Sequence, residues 1–167
     1  MFARGFPSMA AAAPILISRQ YTPKLGWAWV FMWLALAIHV TDEALTGFLA
    51  VYNPTVLAMR AKLGFWPMPT FTFKEWLTAL AAGILLLALL SPFAFENRRW
   101  IRPLFYFVAI VAGIFNALGH TVGTVLGHSV STVTFVRPAP GFYSSPLLLI
   151  ISIYALVQLR RTRSQQS

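Results

Sequence analysis

The sequence lacks cysteine and is poor in acidic residues. Its 167 residues include no cysteine and only 4 aspartates and glutamates, against 13 lysines and arginines. The absence of cysteine excludes disulfide bonds, thiolate metal ligands and a cysteine nucleophile. Charged residues make up 10% of the chain, whereas a soluble domain carries about 25%. No internal repeat divides the chain, which therefore reads as one domain.

Apolar sequence fills the chain instead. Hydrophobic residues make up 58% of it, and the mean hydropathy is +0.70. This composition predicts an all-α, polytopic protein of the cytoplasmic (inner) membrane. Four apolar segments are near or above the roughly 20 residues that a spanning helix needs, the last being slightly short. They are residues 26–50, 73–95, 100–127 and 145–159. We predict a four-helix membrane bundle over residues 26–159, with tails at 1–25 and 160–167.

Local signals mark two of the helix starts. Thr72 and Glu75 have the spacing of a capping box, which predicts that the second helix begins there. Ser145 and Pro146 predict an N-cap and a first-turn proline for the fourth helix. Between the first two spans, residues 53–64 place basic side chains among apolar ones, which predicts a short extracytoplasmic helix at the membrane interface.

Basic residues predict the orientation of the bundle. Nine lie in the tails and in the second connection: Arg4, Arg19, Lys24, Arg98, Arg99, Arg102, Arg160, Arg161 and Arg163. Four lie on the other side: Arg60, Lys62, Lys74 and Arg137. By the positive-inside rule, both termini are cytoplasmic. Because these residues form no sustained basic face, we expect no nucleic-acid partner.

Ionisable residues interrupt the first apolar segment. On a helix, His39 and Glu43 lie about 40° apart around the axis, and Asp42 lies about 60° to the other side of His39. All three therefore occupy one arc of roughly 100°. Charged groups at membrane depth are costly and usually have a function. We expect the functional site on this face.

The third apolar segment carries a second polar face. Asn116 and His120 are four residues apart and share one side of the helix. Small residues near that side favour close approach of a neighbouring helix; they are Gly119, Gly123 and Gly127. At 1.5 Å per residue, His39 and Glu43 lie about 20 and 26 Å from the cytoplasmic helix start, and Asn116 and His120 about 24 and 30 Å. The two polar faces can therefore meet in the outer half of the bilayer.

Three other polar residues rank below these. His128 lies about 80° from the face of Asn116 and His120, close to the outer end of the helix. Tyr143 and Ser144 precede the fourth helix, where capping or interface roles are expected.

The motif pattern resembles that of the HXXEE-domain family of small integral membrane proteins. That pattern has a His-x-x-Glu-Glu motif in the first helix, a later Asn-x-x-x-His and a Pro-Gly before the last helix. The matching residues are His39, Asp42, Glu43, Asn116, His120, Pro140 and Gly141. The resemblance covers residues 30–155 and implies a membrane-embedded helical fold with its site at these motifs. Asp42 stands in place of the first glutamate, so that the charge is kept and the reach is shortened.

The leading hypothesis is a mononuclear site for zinc or iron with His39, Glu43 and His120 as ligands. Two imidazoles and a carboxylate are a usual set for catalytic zinc or non-haem iron, and they leave positions open for water or substrate. Asp42 or Asn116 would then orient a ligand or act as a general base. We do not expect a di-iron site, because such bundles use about four glutamates and two histidines.

Three alternatives stay open. The carboxylate and imidazole could carry out metal-free acid–base chemistry on a lipid or other hydrophobic small molecule, or bind an amphiphile without reaction. The same pairs could instead lock the helices of a non-catalytic subunit, within a homo-oligomer or a larger membrane complex. Haem bound by His39 and His120 is disfavoured by the polar groups nearby. Whether the chain is an enzyme is not decided by its sequence.

Overall fold

The computed structural model describes residues 21–164, most of which are helical. Most of the two predicted tails, residues 1–20 and 165–167, lies outside this range. The helices are α1 (Pro23–Thr46), α2 (Leu49–Leu63), α3 (Phe73–Leu89), α4 (Ser91–Phe95), α5 (Ile101–Phe107), a π-helical segment (Val108–Phe115), α6 (Asn116–Leu126) and α7 (Ser145–Ser164). Two short strands, β1 (His128–Val130) and β2 (Val133–Thr134), complete the described part.

The first span ends earlier than its apolar sequence predicts. Gly47 takes a left-handed conformation (φ 77°), and its backbone N–H donates to the Glu43 carbonyl, so that α1 stops at Thr46 rather than at residue 50. The chain re-enters a helix at once. As a result α2 begins at Leu49 instead of residue 53, whereas its end before Gly64 is as predicted. Pro54 lies in the second turn of α2, where its missing N–H removes a single helical hydrogen bond.

The second predicted span divides into two helices. The capping box is confirmed: Thr72 Oγ1 accepts from the Glu75 N–H at 3.3 Å, and Glu75 Oε2 accepts from the Thr72 N–H at 2.9 Å. The predicted continuous helix is wrong at Leu90, where α3 gives way to α4. Pro92 accounts for the break, because it has no N–H to donate to the preceding turn.

The third span is helical from Ile101 to Leu126, close to the predicted 100–127. Its middle is a π-helical segment, which the apolar pattern does not reveal. After Leu126, β1 and β2 pair as a short antiparallel hairpin. The described part of the chain is otherwise mostly helical, in broad agreement with the all-α prediction.

The last helix also differs in detail from its prediction. It starts at Ser145 as expected but runs to Ser164 instead of residue 159. The Ser145 hydroxyl donates to the Gly141 carbonyl at 2.8 Å.

Helix α1 occupies the centre of the packing and contacts α3, α4 and α7. The buried core includes Trp29 and Phe105, whose rings meet edge to face at 4.9 Å. Two helices, Pro23–Thr46 with 24 residues and Ile101–Leu126 with 26, are long and apolar enough to cross a membrane.

Several polar side chains lie in the interior, and many large apolar side chains lie on the surface. Buried residues include His39, Glu43, Ser152 and Gln158. Large apolar side chains are exposed on the outer faces of the helices; among them are Ile38, Leu85, Leu89, Phe107, Val125 and Ile150. Extended exposed apolar surface marks contact with a membrane or with another protein.

Candidate metal centre

Two histidines and a glutamate meet where α1 approaches α6. Glu43 Oε1 lies 3.0 Å from His120 Nε2 and 3.5 Å from His39 Nε2. The imidazole rings are 4.9 Å apart, centroid to centroid, at an angle of 69°. All three residues are buried, with exposed fractions of 0% for His39, 4% for Glu43 and 7% for His120. The two polar faces therefore meet, as their depths in the sequence predict.

The loop before α7 supplies a third wall to this cluster. Asp42 Oδ2 accepts from both the backbone N–H and the hydroxyl of Ser144, each at 2.8 Å. The same hydroxyl oxygen lies 2.8 Å from His39 Nδ1. The Asp42 carboxylate is therefore linked to the ring of His39 by way of Ser144.

This chain of contacts determines the proton positions on His39. The Ser144 hydroxyl has a single proton, and the carboxylate of Asp42 can only accept. Gly141 O, the other neighbour of that hydroxyl at 3.3 Å, is also only an acceptor. With the hydroxyl proton directed to Asp42 Oδ2, His39 Nδ1 donates to Ser144 Oγ. A neutral His39 ring then has a bare lone pair at Nε2.

The Nε2 lone pair of His39 lies near other hydrogen-bond acceptors, and the cluster has too few protons for all of them. His39 Nε2 is buried and has no hydrogen-bond partner among residues 21–164. Glu43 Oε1 and Asn116 Oδ1 lie 3.0 and 3.1 Å from His120 Nε2, which can offer them only one N–H. Three acceptors therefore converge on at most one proton. A cation, either a metal ion or an additional proton, would relieve this surplus.

The spacing suits a metal ion. Ligand atoms on a tetrahedral ion with bonds of about 2.0–2.1 Å are about 3.3–3.4 Å apart. The measured separations of 3.0 and 3.5 Å bracket that value. The candidate ligand atoms of His39, Glu43 and His120 all lie within 4.8 Å of one another. These residues thus have the atom types and the spacing needed to hold an ion.

A pocket of about 320 Å³ adjoins the cluster between α2 and α6. Asn116 and His120 form part of its wall. Most of its lining is apolar and includes Phe48, Val51, Phe115, Val122, Leu126 and Phe135. The residues of α6 that line it recur every three or four positions, so that the pocket follows one face of that helix.

The glycines of α6 have a different role from the predicted one. Within residues 21–164 no helix packs on them: a Cβ at Gly119 would meet nothing within 4 Å, and one at Gly123 would meet only Phe135 and Ala139 of the connection. Gly119 and Gly123 line the pocket instead. The prediction of a close helix contact is therefore wrong, because the small residues leave space that no helix fills.

The remaining polar residues lie away from the cluster. His128 and Tyr52 line the pocket, and Tyr143 is 69% exposed. Burial raises the pKa of the Tyr52 phenol, although Arg60 opposes the shift. Tyr52 is thus a neutral hydroxyl at neutral pH, and it donates to the Pro69 carbonyl at 3.0 Å.

Sequence reasoning ranked Ser144 below the cluster residues and named Gly141 only within the family-like motif, so that it did not predict the contacts that either makes with the cluster. An ideal Cβ on Gly141 would lie 2.8 Å from both Glu43 Cγ and His120 Cε1, so that this backbone packs directly against the cluster. The only signal available was Pro140-Gly141, a turn dipeptide just before the last helix. No family model, curated protein or solved structure matches the chain, and the resemblance to the HXXEE-domain family rests on its motif residues alone.

Proposed function

We propose that this chain is an integral membrane protein that binds a divalent metal ion, zinc or iron, through His39, Glu43 and His120. The observation that carries the proposal is the bare, buried Nε2 of His39. Histidines that bind metals usually donate their other ring N–H to a carboxylate, a carbonyl or water, which fixes the ring. Here Ser144, held by Asp42, receives that N–H.

Charge also favours a cation at this place. Glu43 is 4% exposed, and the basic groups beside its carboxylate within residues 21–164 are the imidazoles of His39 and His120. A buried carboxylate is stable only when paired or coordinated. A divalent ion would neutralise the negative charge of Glu43 and would also bind the acceptor atoms that have no proton to accept.

The ligand we propose for the adjoining pocket is a lipid or other hydrophobic small molecule. The pocket is within the usual size range of ligand sites, and its apolar lining with a few convergent polar groups is typical of them. Its wall includes His120, so that a bound molecule would reach the metal centre. A metal ion there would polarise an oxygen or activate water. Asp42 acts as a positioning residue through Ser144.

Metal-free acid–base chemistry is the second candidate. Glu43 Oε1 lies within 3.5 Å of both Nε2 atoms, so that a proton could pass between the carboxylate and either ring. In this case a proton rather than an ion would relieve the acceptor surplus.

The membrane arrangement we propose has four crossing helices: α1, α3, the helix over 101–126, and α7. The exposed apolar side chains support it, as do the basic residues. The Thr22 N–H donates to the Phe95 carbonyl, so that the start of α1 adjoins the connection that carries Arg98 and Arg99. By the positive-inside rule, this end and both termini are cytoplasmic in an inner membrane.

Metal analysis of the detergent-purified protein tests the proposed site. We expect near-stoichiometric zinc or iron in the wild type and background levels in a His39→Ala/His120→Ala variant, because two of three ligands are gone. His128→Ala is the matched control, since it removes a histidine that lines the pocket only, and it should retain the metal. Wild-type protein that stays metal-free after reconstitution with zinc and with iron would leave the acid–base reading as the better one.

The absence of cysteine makes the topology directly testable. Single cysteines introduced as Ser131→Cys, in the β1–β2 turn, and as Arg99→Cys, between α4 and α5, provide one label on each proposed side. In intact cells, a membrane-impermeant maleimide should label the first fully and the second only at background, and permeabilisation should expose the second. Equal labelling of both in intact cells would rule out the four-helix arrangement.

A further inference from the structure

We infer that Asn116 is a fourth ligand of the metal ion, through its side-chain oxygen. The donor set would then comprise two imidazole nitrogens, one carboxylate oxygen and one amide oxygen. This inference rests on the proposed metal site, and the experiment below separates the failure of one from the failure of the other.

The position of Asn116 is that of a ligand rather than of an orienting partner. A group that orients a metal-bound histidine contacts the ring nitrogen that does not bind the metal, as Ser144 does on His39 Nδ1. Asn116 Oδ1 instead lies 3.1 Å from His120 Nε2, the same nitrogen that faces Glu43 Oε1 at 3.0 Å. It therefore shares with Glu43 the ring nitrogen that would bind the ion.

The proton balance supports the same assignment. Without an ion, the single N–H at His120 Nε2 is shared between Glu43 and Asn116. Once an ion takes the Nε2 lone pair, that nitrogen has no proton to donate, and the Asn116 oxygen loses the donor that lies 3.1 Å away. Coordination of the same ion would satisfy that oxygen again. The 3.1 Å separation is close to the roughly 3.3 Å expected between neighbouring ligands.

The donor set disfavours soft metal ions and places the bound ion next to the pocket. Carboxylate and amide oxygens are hard ligands, and combined with imidazole they suit zinc, iron(II) or manganese better than soft ions. Asn116 and His120 also line the pocket between α2 and α6. A neutral amide oxygen at that wall is the ligand most easily replaced by an oxygen atom of a molecule bound in the pocket.

Cobalt(II) spectroscopy of the metal-stripped, detergent-purified full chain tests the assignment. Visible cobalt bands report the number and type of ligands. We expect Asn116→Ala to shift these bands, and Asn116→Asp, which keeps an oxygen and adds a charge, to retain strong bands and bind cobalt more tightly. Thr121→Ala, on the same helix, is the control and should match the wild type. A loss of metal affinity alone would not identify Asn116 as a ligand, because removing a residue that only orients a ligand also lowers the affinity about 10–100-fold.

Each outcome has a defined meaning. Unchanged bands in Asn116→Ala would overturn the inference and leave Asn116 as a hydrogen-bond acceptor, with the metal site intact. Should Asn116→Ala not fold, Asn116→Asp decides, because unaltered bands and affinity in that variant would also overturn it. A wild type that binds no cobalt would overturn the proposed function together with this inference.

Discussion

Glu43→Gln is expected to lower the affinity for the metal ion by more than about 100-fold, since the loss of an outer partner alone costs about 10–100-fold. Glu43 is the one carboxylate in contact with both histidines, and its Oε1 lies 3.0 and 3.5 Å from their Nε2 atoms. Glutamine keeps the size and an oxygen atom but removes the charge. A divalent ion would then be buried among neutral ligands, which is costly. Isothermal titration of the stripped protein with zinc measures the change.

The same substitution should leave the bundle folded. The amide can still bond to the imidazoles, and removal of a buried charge offsets part of the lost interaction. Glu75→Gln provides the control: it removes a carboxylate from the capping box of α3, away from the cluster, and should titrate like the wild type. Wild-type zinc affinity in Glu43→Gln would contradict the metal site as proposed, because no ion could then depend on that carboxylate.

Local sequence signals predict most helices but miss the points where they break. Two of the predicted features depend only on residues that are close together in the sequence, and both are confirmed. They are the capping box at Thr72 and Glu75 and the end of α2 before Gly64. Gly47 was missed because a glycine in an apolar run is compatible with a continuing helix until tertiary packing selects its left-handed conformation. The π-helical segment Val108–Phe115 has no pattern of its own, because every residue in it is apolar or glycine.

The cluster itself could be predicted to a large extent. His39 with Glu43, and Asn116 with His120, are each four residues apart, and helical geometry alone places each pair on one face. Comparable depths then bring the pairs together. The sequence contains nothing equivalent for Ser144, which lies in an irregular loop and reaches Asp42 across a sequence separation of 102. Contacts of this kind depend on the whole fold.

The glycines of α6 show how one pattern can have two meanings. Small residues on one face of a membrane helix commonly mark a helix contact. At Gly119 and Gly123 they instead leave the pocket open, because the connection at Phe135 and Ala139, and not a helix, lies over that face. The sequence shows that there is room beside His120. Only the fold shows that no helix of residues 21–164 fills that space.

Gly141→Ala is expected to destabilise the protein by roughly 2–5 kcal/mol and to disturb the metal centre. Gly141 has φ 81°, a left-handed conformation that is unfavourable for alanine. The added Cβ would also lie 2.8 Å from both Glu43 Cγ and His120 Cε1. The loop cannot easily retreat, because the Gly141 N–H donates to Thr46 at 2.9 Å.

Gly47→Ala separates the two causes. Gly47 has nearly the same conformation, with φ 77°, but a Cβ there meets nothing within 4 Å. Gly47→Ala should therefore lower the free energy of unfolding by the backbone strain alone, about 1–2 kcal/mol, and leave zinc binding intact. Denaturant titration in detergent micelles gives the unfolding free energies, and zinc titration gives the affinities. Equal losses in the two variants, with zinc affinity unchanged in both, would mean that the Gly141 loop does not press on the cluster. A larger loss in Gly141→Ala, together with weakened zinc binding, would establish that this loop holds Glu43 and His120 in the geometry that an ion requires.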